Sequence, residues 1–397
     1  MSLVTKAIAD QLQSASWIRR MFEAGAALKK QYGEDAVCDF SLGNPDLPAP
    51  PSVAEGLKEI LKKSDQPFAF GYMPNAGFPW AREALANHLS TEQEIQIGSD
   101  DVILTCGAAG ALNVAFKTIL EPGDEVMAIA PFFVEYGGYV GNHGGVLKTV
   151  RSNPDDFSLD LALLEEAIGS KTRAVIINTP NNPTGQIYSK DSLVALAALL
   201  TRKSEENKRP IFLLIDEPYR FLAFDGEIVP GILPLYSYAI LASSFSKNLS
   251  LAGERVGYLA VSPRLEGREE LVAGFILANR VLGFVNPPVV GQYLMAAALG
   301  SQVDVSIYAA RRKAMAEVLS RAGYDFFLPK GAFYFFPKAP GGDDVTFVKR
   351  LQEERILAVP GSGFAGPGHF RLTSCVGENI IRRAEDGLKR ARDAFPA

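Results

Sequence analysis

The sequence predicts an α/β fold on a largely parallel sheet covered by helices, followed by a smaller α+β lobe. Three observations carry that prediction. Short aliphatic and β-branched runs alternate with longer amphipathic stretches through the middle of the chain. The runs are apolar along their whole length, as strands buried on both faces are. Beyond about residue 290 the alternation gives way to helical stretches separated by short aromatic runs.

Taken in order, the first 45 residues read as a helix over about 5–31 leading into Phe40-Ser41-Leu42-Gly43-Asn44-Pro45. Such an arm either returns to the C-terminal lobe or crosses to a partner subunit. Strands are predicted at Val102–Thr105, Glu125–Ala130, Ala174–Asn178, Ile211–Asp216, Tyr238–Ser243 and Val256–Val261, with helices over 107–119 and 189–203. The second lobe reads as a helix over 290–321, an aromatic strand Phe333–Phe336, a helix over 345–354 and a strand over 356–359. The break at Asn286-Pro287-Pro288 divides the chain into a large unit, 46–288, and a small one made of 1–45 and 289–397.

Composition narrows the function classes. The chain has 397 residues, 47% of them apolar and 21% charged, which excludes disorder and collagen-like or disulfide-scaffold architectures. A net charge of −5 argues against nucleic-acid or anionic-membrane partners. Cys38, Cys106 and Cys375 form no CxxC pair, and His88, His143 and His369 are scattered, so no metal site is expected. Asp10 interrupts the N-terminal run and argues against a signal peptide. The uncharged stretches 228–246 and 281–303 hold Pro230, Pro234, Asn286, Pro287 and Pro288, which argue against membrane spans. A soluble, cytoplasmic protein is expected.

One motif is a decoy. Gly361-Ser362-Gly363-Phe364-Ala365-Gly366 matches GxGxxG, but Pro360 precedes it and Pro367-Gly368 follows. A dinucleotide fingerprint needs a helix to open at its glycines, so a plain Gly-rich loop is the reading and NAD is rejected.

The strand ends are more informative, because open α/β sheets bind ligands there. Gly107-Ala108-Ala109-Gly110 opens a helix with small residues, a seat for a phosphate or an ordinary tight turn. Thr179-Pro180-Asn181-Asn182-Pro183-Thr184-Gly185 is a rigid loop able to aim an Asn amide at a ligand. Asp216 closes an apolar run, where a carboxylate needs a cation or several donors, with Tyr219 three residues on. Ser244-Phe245-Ser246-Lys247-Asn248 and then Arg255 combine hydroxyls, an amine and a guanidinium at another strand end. A lone lysine is an ordinary surface residue, but this grouping fits phosphate binding beside a reactive amine.

The order and spacing of Asn181-Asn182-Pro183-Thr184-Gly185, Asp216-x-x-Tyr219 and Ser244-x-Ser246-Lys247 with Arg255 resemble the class I/II aminotransferases. These are fold-type I enzymes that use pyridoxal 5′-phosphate. The resemblance runs through Leu42-Gly43-Asn44-Pro45, Tyr72 with Ala76-Gly77, Lys330-Gly331-Ala332-Phe333-Tyr334, Pro360-Gly361-Ser362-x-Phe364 and Phe370-Arg371-Leu372. It implies a mostly parallel seven-stranded sheet and ping-pong transfer of the α-amino group of an L-amino acid to a 2-oxo acid.

By the same resemblance Lys247 forms the Schiff base with the cofactor aldehyde and later carries a proton from the substrate Cα. Asp216 pairs with the pyridine nitrogen, Asn182 and Tyr219 donate to the phenolate oxygen, and Phe133 stacks on the ring. The phosphate falls to Gly107, Ala108, Ala109, Ser244, Ser246 and Arg255, with Tyr72 reaching it from a neighbouring subunit of a homodimer. Arg371 grips the substrate α-carboxylate, helped by Gly43 and Asn182.

Relatives specific for aspartate place a further cation at one of two positions, occupied here by Val281 and Ala109, with Arg280 adjacent to the first. An apolar pocket lined by Ile18, Phe22, Phe133 and Phe284 is the alternative. A β-lyase on the same scaffold remains open as a second activity. A regulator that only binds the cofactor would need a DNA-binding segment, for which the 45 or so upstream residues leave little room.

Overall fold

The computed structural model describes residues 3–6, 8–9 and 17–395, the side chains at 18–20 and 22 excepted. The helix expected over 5–31 is seen as Trp17–Tyr32, ended by Gly33 at φ 89°, while 10–16 lie outside the described residues. The arm then forms β1 (Cys38–Asp39). Helices Pro51–Lys63 and Pro79–Glu92 follow, each with proline in its first turn, where the missing N–H costs nothing.

Seven strands build the main sheet: β2 (Val102–Thr105), β3 (Glu125–Ala130), β4 (Val146–Arg151), β5 (Thr172–Asn178), β6 (Phe212–Asp216), β7 (Ala239–Ser244) and β8 (Gly257–Val261). Their order is β2-β8-β7-β6-β5-β3-β4, and only β8 runs antiparallel to its neighbours. Successive side chains face opposite layers. Leu213 joins a core with Leu85, Leu196 and Met295, whereas Leu214 joins one with Phe116 and Phe275. Both faces being covered explains why these strands read as continuous apolar runs. Strand β4 escaped the sequence reading because it is an edge strand with Val150 as its single buried residue.

Register decides what the sheet presents. Asn178 pairs with Asp216, and Asp216 with Ala242, so β5, β6 and β7 end side by side. The turn after β2 opens the helix Gly107–Ile119 at the same sheet edge.

The smaller lobe corrects three expectations. The helix over 290–321 is two helices, Val289–Ala298 and Val305–Arg321. Gly300 at φ 79° breaks it, and the Asp304 carboxylate accepts from the Ser306 N–H at 2.9 Å to start the second. The aromatic strand shortens to β9 (Tyr334–Phe335). The run 356–359 splits into β10 (Ile356–Leu357), which pairs parallel with β1, and β11 (Val359–Pro360), which pairs with β12 (Phe370–Thr373). The described arm therefore returns to this lobe, and the Thr373 N–H donates to the Phe40 carbonyl at 3.0 Å. Leu294, Met295 and Ala298 of the first helix pack in the core of the main sheet.

At the GxGxxG loop only a four-residue 3-10 turn forms, Gly361–Phe364. The Asp344 carboxylate accepts from the Ser362 and Gly368 N–H groups at 2.7 and 3.2 Å, so a residue of the chain takes the loop amides that a pyrophosphate would need. No described helix is long and apolar enough to cross a membrane.

Candidate active site

A cavity of about 370 Å³ lies over the ends of β5, β6 and β7, closed on one side by Leu42, Gly43, Tyr334 and Arg371 of the arm and the smaller lobe. It collects nearly every residue singled out in the sequence: Gly43, Ala108, Ala109, Phe133, Asn182, Asp216, Tyr219, Ser244, Ser246, Lys247, Arg255 and Arg371. Gly107 is one residue behind the wall. Tyr72 lies outside this cavity, fully exposed beside Val285 and Asn286.

Asp216 is buried at the end of β6. Its Oδ2 accepts from the Tyr136 hydroxyl at 2.6 Å, and its Oδ1 has no partner. Burial pushes its carboxyl up to about 6, against the pull of the Tyr136 bond. Next to it the Asn178 amide donates to the Asp216 carbonyl at 2.7 Å and accepts from the Asn182 N–H at 2.6 Å. Within the loop, Asn181 Oδ1 takes both the N–H and the hydroxyl of Thr184, at 3.0 and 2.8 Å. That bonding holds Asn182 in place.

Arg371 on β12 is buried and donates to the Asn182 Oδ1 at 3.0 Å and the Ser41 carbonyl at 2.6 Å. The rings of Tyr334 and Phe364 sandwich its guanidinium at 4.7 and 4.6 Å. Its Nε is buried without a partner. The Tyr334 hydroxyl also meets the Tyr219 hydroxyl at 2.9 Å. Gly43 is glycine for a steric reason, since a Cβ there would collide with the Tyr334 ring.

Lys247 donates to the Gly43 carbonyl at 2.8 Å. Burial brings its amine down to about 8, and the charges of Arg371 and Arg255 add to that against an opposing effect of Cys375. At the other end, helix Gly107–Ile119 starts from Cys106 with no side-chain cap, so its first amides are open to an anion. Arg255 reaches the same place: a Cβ at Gly107 would lie 2.8 Å from its Nη2.

The cavity thus has uncapped amides and Arg255 at one end, the Arg371 guanidinium at the other and an amine of lowered basicity between. Residues 35–385 match the family described as aminotransferase class I and II. The chain belongs to that family. An aspartate aminotransferase of Thermotoga maritima is 33% identical, covering 94% of both chains. An aspartate/prephenate aminotransferase of Thermus thermophilus is 31% identical over 91% of this chain and 92% of its own. Among solved structures, an aminotransferase of Eubacterium rectale superposes with a TM-score of 0.95 at 36% identity, covering all of both chains. The fold is accordingly fold-type I, and the protein is an aminotransferase.

Of the apolar lining expected from sequence, Phe133 is in place, while neither Val281 nor the exposed Arg280 lines the cavity. Phe284 instead packs in the core against the Gly107–Ile119 helix, and the side chains of Ile18 and Phe22 lie outside the described residues. Tyr139, Asn178 and Leu112 of this aminotransferase also line the cavity and Tyr136 bonds to Asp216 behind it, and sequence reasoning missed all four. A signal existed for Tyr136, which follows Phe133 by three residues and sits one short turn away. Tyr136→Phe removes a donor from the charged form of Asp216, so its pKa is expected to rise further. The acid limb of the kcat/KM profile should move to higher pH and the maximum should fall about tenfold. An unchanged profile would show that Tyr136 only packs.

Proposed function

We propose that the protein is a pyridoxal 5′-phosphate-dependent aminotransferase that moves the α-amino group of an L-amino acid to a 2-oxo acid in two half-reactions. The observation carrying this reading is the convergence of Lys247, Asp216 and Arg371 on one cavity.

The residues present fit the cofactor. The unpartnered, buried Oδ1 of Asp216 matches a pyridinium N–H, since it is the acceptor left over after Tyr136 is satisfied. Uncapped amides at Gly107, Ala108 and Ala109, the hydroxyls of Ser244 and Ser246, and Arg255 match a phosphate dianion. When bound, the cofactor supplies an electron sink for charge developing at the substrate Cα.

The chain does the rest. Lys247, with its basicity lowered to about 8, keeps a neutral fraction near neutral pH, so it can attach the cofactor and afterwards take the Cα proton. Asp216 holds the proton on the ring nitrogen. Asn182 and Tyr219 orient the phenolate oxygen, Phe133 covers the ring, and Arg371 binds the α-carboxylate beside Gly43 and Asn182. Exposed Phe68, Phe70 and Tyr72 form one face of a homodimer, from which Tyr72 reaches the phosphate of the partner's site. The large unit carries the cofactor and the small one carries Arg371. Helix Val289–Ala298 is counted with the large unit, since its side chains pack there. Such an enzyme acts in the cytoplasm.

Incubation with cofactor, an L-amino acid and a 2-oxo acid tests the reading. Exchange of the amino group is the expected result. Pyruvate and ammonia without exchange would make the protein a β-lyase instead.

A further inference from the structure

The hydroxyls of Tyr219 and Tyr334 meet at 2.9 Å, a distance that admits either as the donor. Both side chains are buried, and both line the cavity. A phenol has one proton to give and can accept as well. Under the function proposed above, Tyr219 gives its proton to the phenolate oxygen of the cofactor. That proton is then not available to Tyr334, so the contact between the two hydroxyls has to run the other way.

The surroundings of Tyr334 favour that direction. Its ring lies 4.7 Å from the Arg371 guanidinium and edge-on to the Tyr219 ring at 5.6 Å. Its hydroxyl approaches Gly43 so closely that a Cβ there would collide with it. This packing fixes the phenol oxygen, and among the described residues Tyr219 is its only hydrogen-bond partner. Burial pushes both phenols up, so both keep their protons; the charge of Arg371 holds Tyr334 back, and Tyr219 rises further. The more acidic phenol is the better donor.

We infer that Tyr334 is a positioning residue: it donates to Tyr219 and so strengthens the bond that Tyr219 makes to the cofactor. The inference rests on the cofactor reading given above. A hydroxyl that accepts a hydrogen bond is polarised into a better donor, by about 10–30% per bond in a chain. Asn182 is set in a comparable way, since its Oδ1 accepts from Arg371 at 3.0 Å and its amide nitrogen is left to donate.

The test reads the pH midpoint at which the absorbance of the bound cofactor changes, which reports protonation of the nitrogen joining it to Lys247. Donors to the phenolate oxygen stabilise its charge and keep that midpoint low. Tyr334→Phe leaves a ring against Arg371 and removes only the hydroxyl, so the midpoint should rise by about 0.3 pH unit. With the bond reversed, the same substitution would free the Tyr219 proton for the cofactor and the midpoint would fall. A fall, or no shift, overturns the inference. In a Tyr219→Phe background, Tyr334→Phe should have no further effect; an equal rise there would come from loosening of the site and also overturns it. Replacing Tyr334 by 3-fluorotyrosine keeps the shape and makes a stronger donor, so the midpoint should fall; a rise or no shift counts against the inference even where the phenylalanine variant does not fold. Loaded wild type whose cofactor borohydride does not fix onto Lys247 overturns the cofactor reading itself, and the inference with it.

Discussion

Lys247→Ala is expected to lower turnover about 10⁴-fold, the upper range for loss of one positioned acid–base group. Among the described residues the cavity holds no substitute. The Arg371 guanidinium is no base, and Cys375, pushed up to about 12 chiefly by burial, supplies none either. Lys247→Arg should be equally inactive, because a charged guanidinium cannot take a proton. Borohydride treatment of the cofactor-loaded wild type should fix the cofactor onto Lys247, as read by peptide mass. A loaded, active protein with unmodified Lys247 would end the mechanism.

The lowered basicity sets a pH signature. Cofactor attachment to the bare protein should speed up about tenfold per pH unit below about 8 and level off above it. It also sets a stability signature. Between about 8 and the usual 10.5 the folded protein binds fewer protons at Lys247 than the unfolded chain. The destabilisation is therefore full below about 8 and is relieved as pH rises towards 10.5. Lys247→Met should raise the Tm of the cofactor-free protein at neutral pH.

Asp216→Asn is the second large effect, about 10³-fold in kcat with the cofactor saturating. Asparagine keeps the shape and can still accept from Tyr136. It cannot hold a proton on a ring nitrogen, so the electron sink weakens while most of the binding contacts remain. Cofactor affinity should fall far less than kcat; a kcat within tenfold of wild type would remove Asp216 from the mechanism. The carboxylate is costly to the fold. Its folded value of about 6 against the usual 3.8 means that stability from this group is lost as pH rises through that window. Asp216→Asn should remove that loss, which thermal unfolding of the cofactor-free protein at pH 7 would detect.

What the sequence made legible follows from how each feature is encoded. Strands β2 and β3 match their expected limits because burial on both faces writes an uninterrupted apolar run. Strand β4, half in water, writes none, and the break before Asp304 is signalled within its apolar surroundings by little more than Gly300. Asp216, Ser244 and Lys247 stood out as polar residues closing apolar runs. Tyr136 and Tyr334 did not, since their meaning lies in contacts with residues 80 and 115 positions away. Ordinary aromatic residues acquire such roles only from the tertiary structure.

The bond from Lys247 to Gly43 joins residues 204 apart, and Arg371 reaches back 330 residues to Ser41 and 189 to Asn182. Pairings of that span close last in a folding chain, because their loop entropy must be met before any contact rewards it. The binding site is thus completed only when arm, sheet and smaller lobe have all assembled. A ligand held there favours the finished fold over every partly folded one. Occupancy of this cavity doubles as a gauge of how much of the chain has reached its native state.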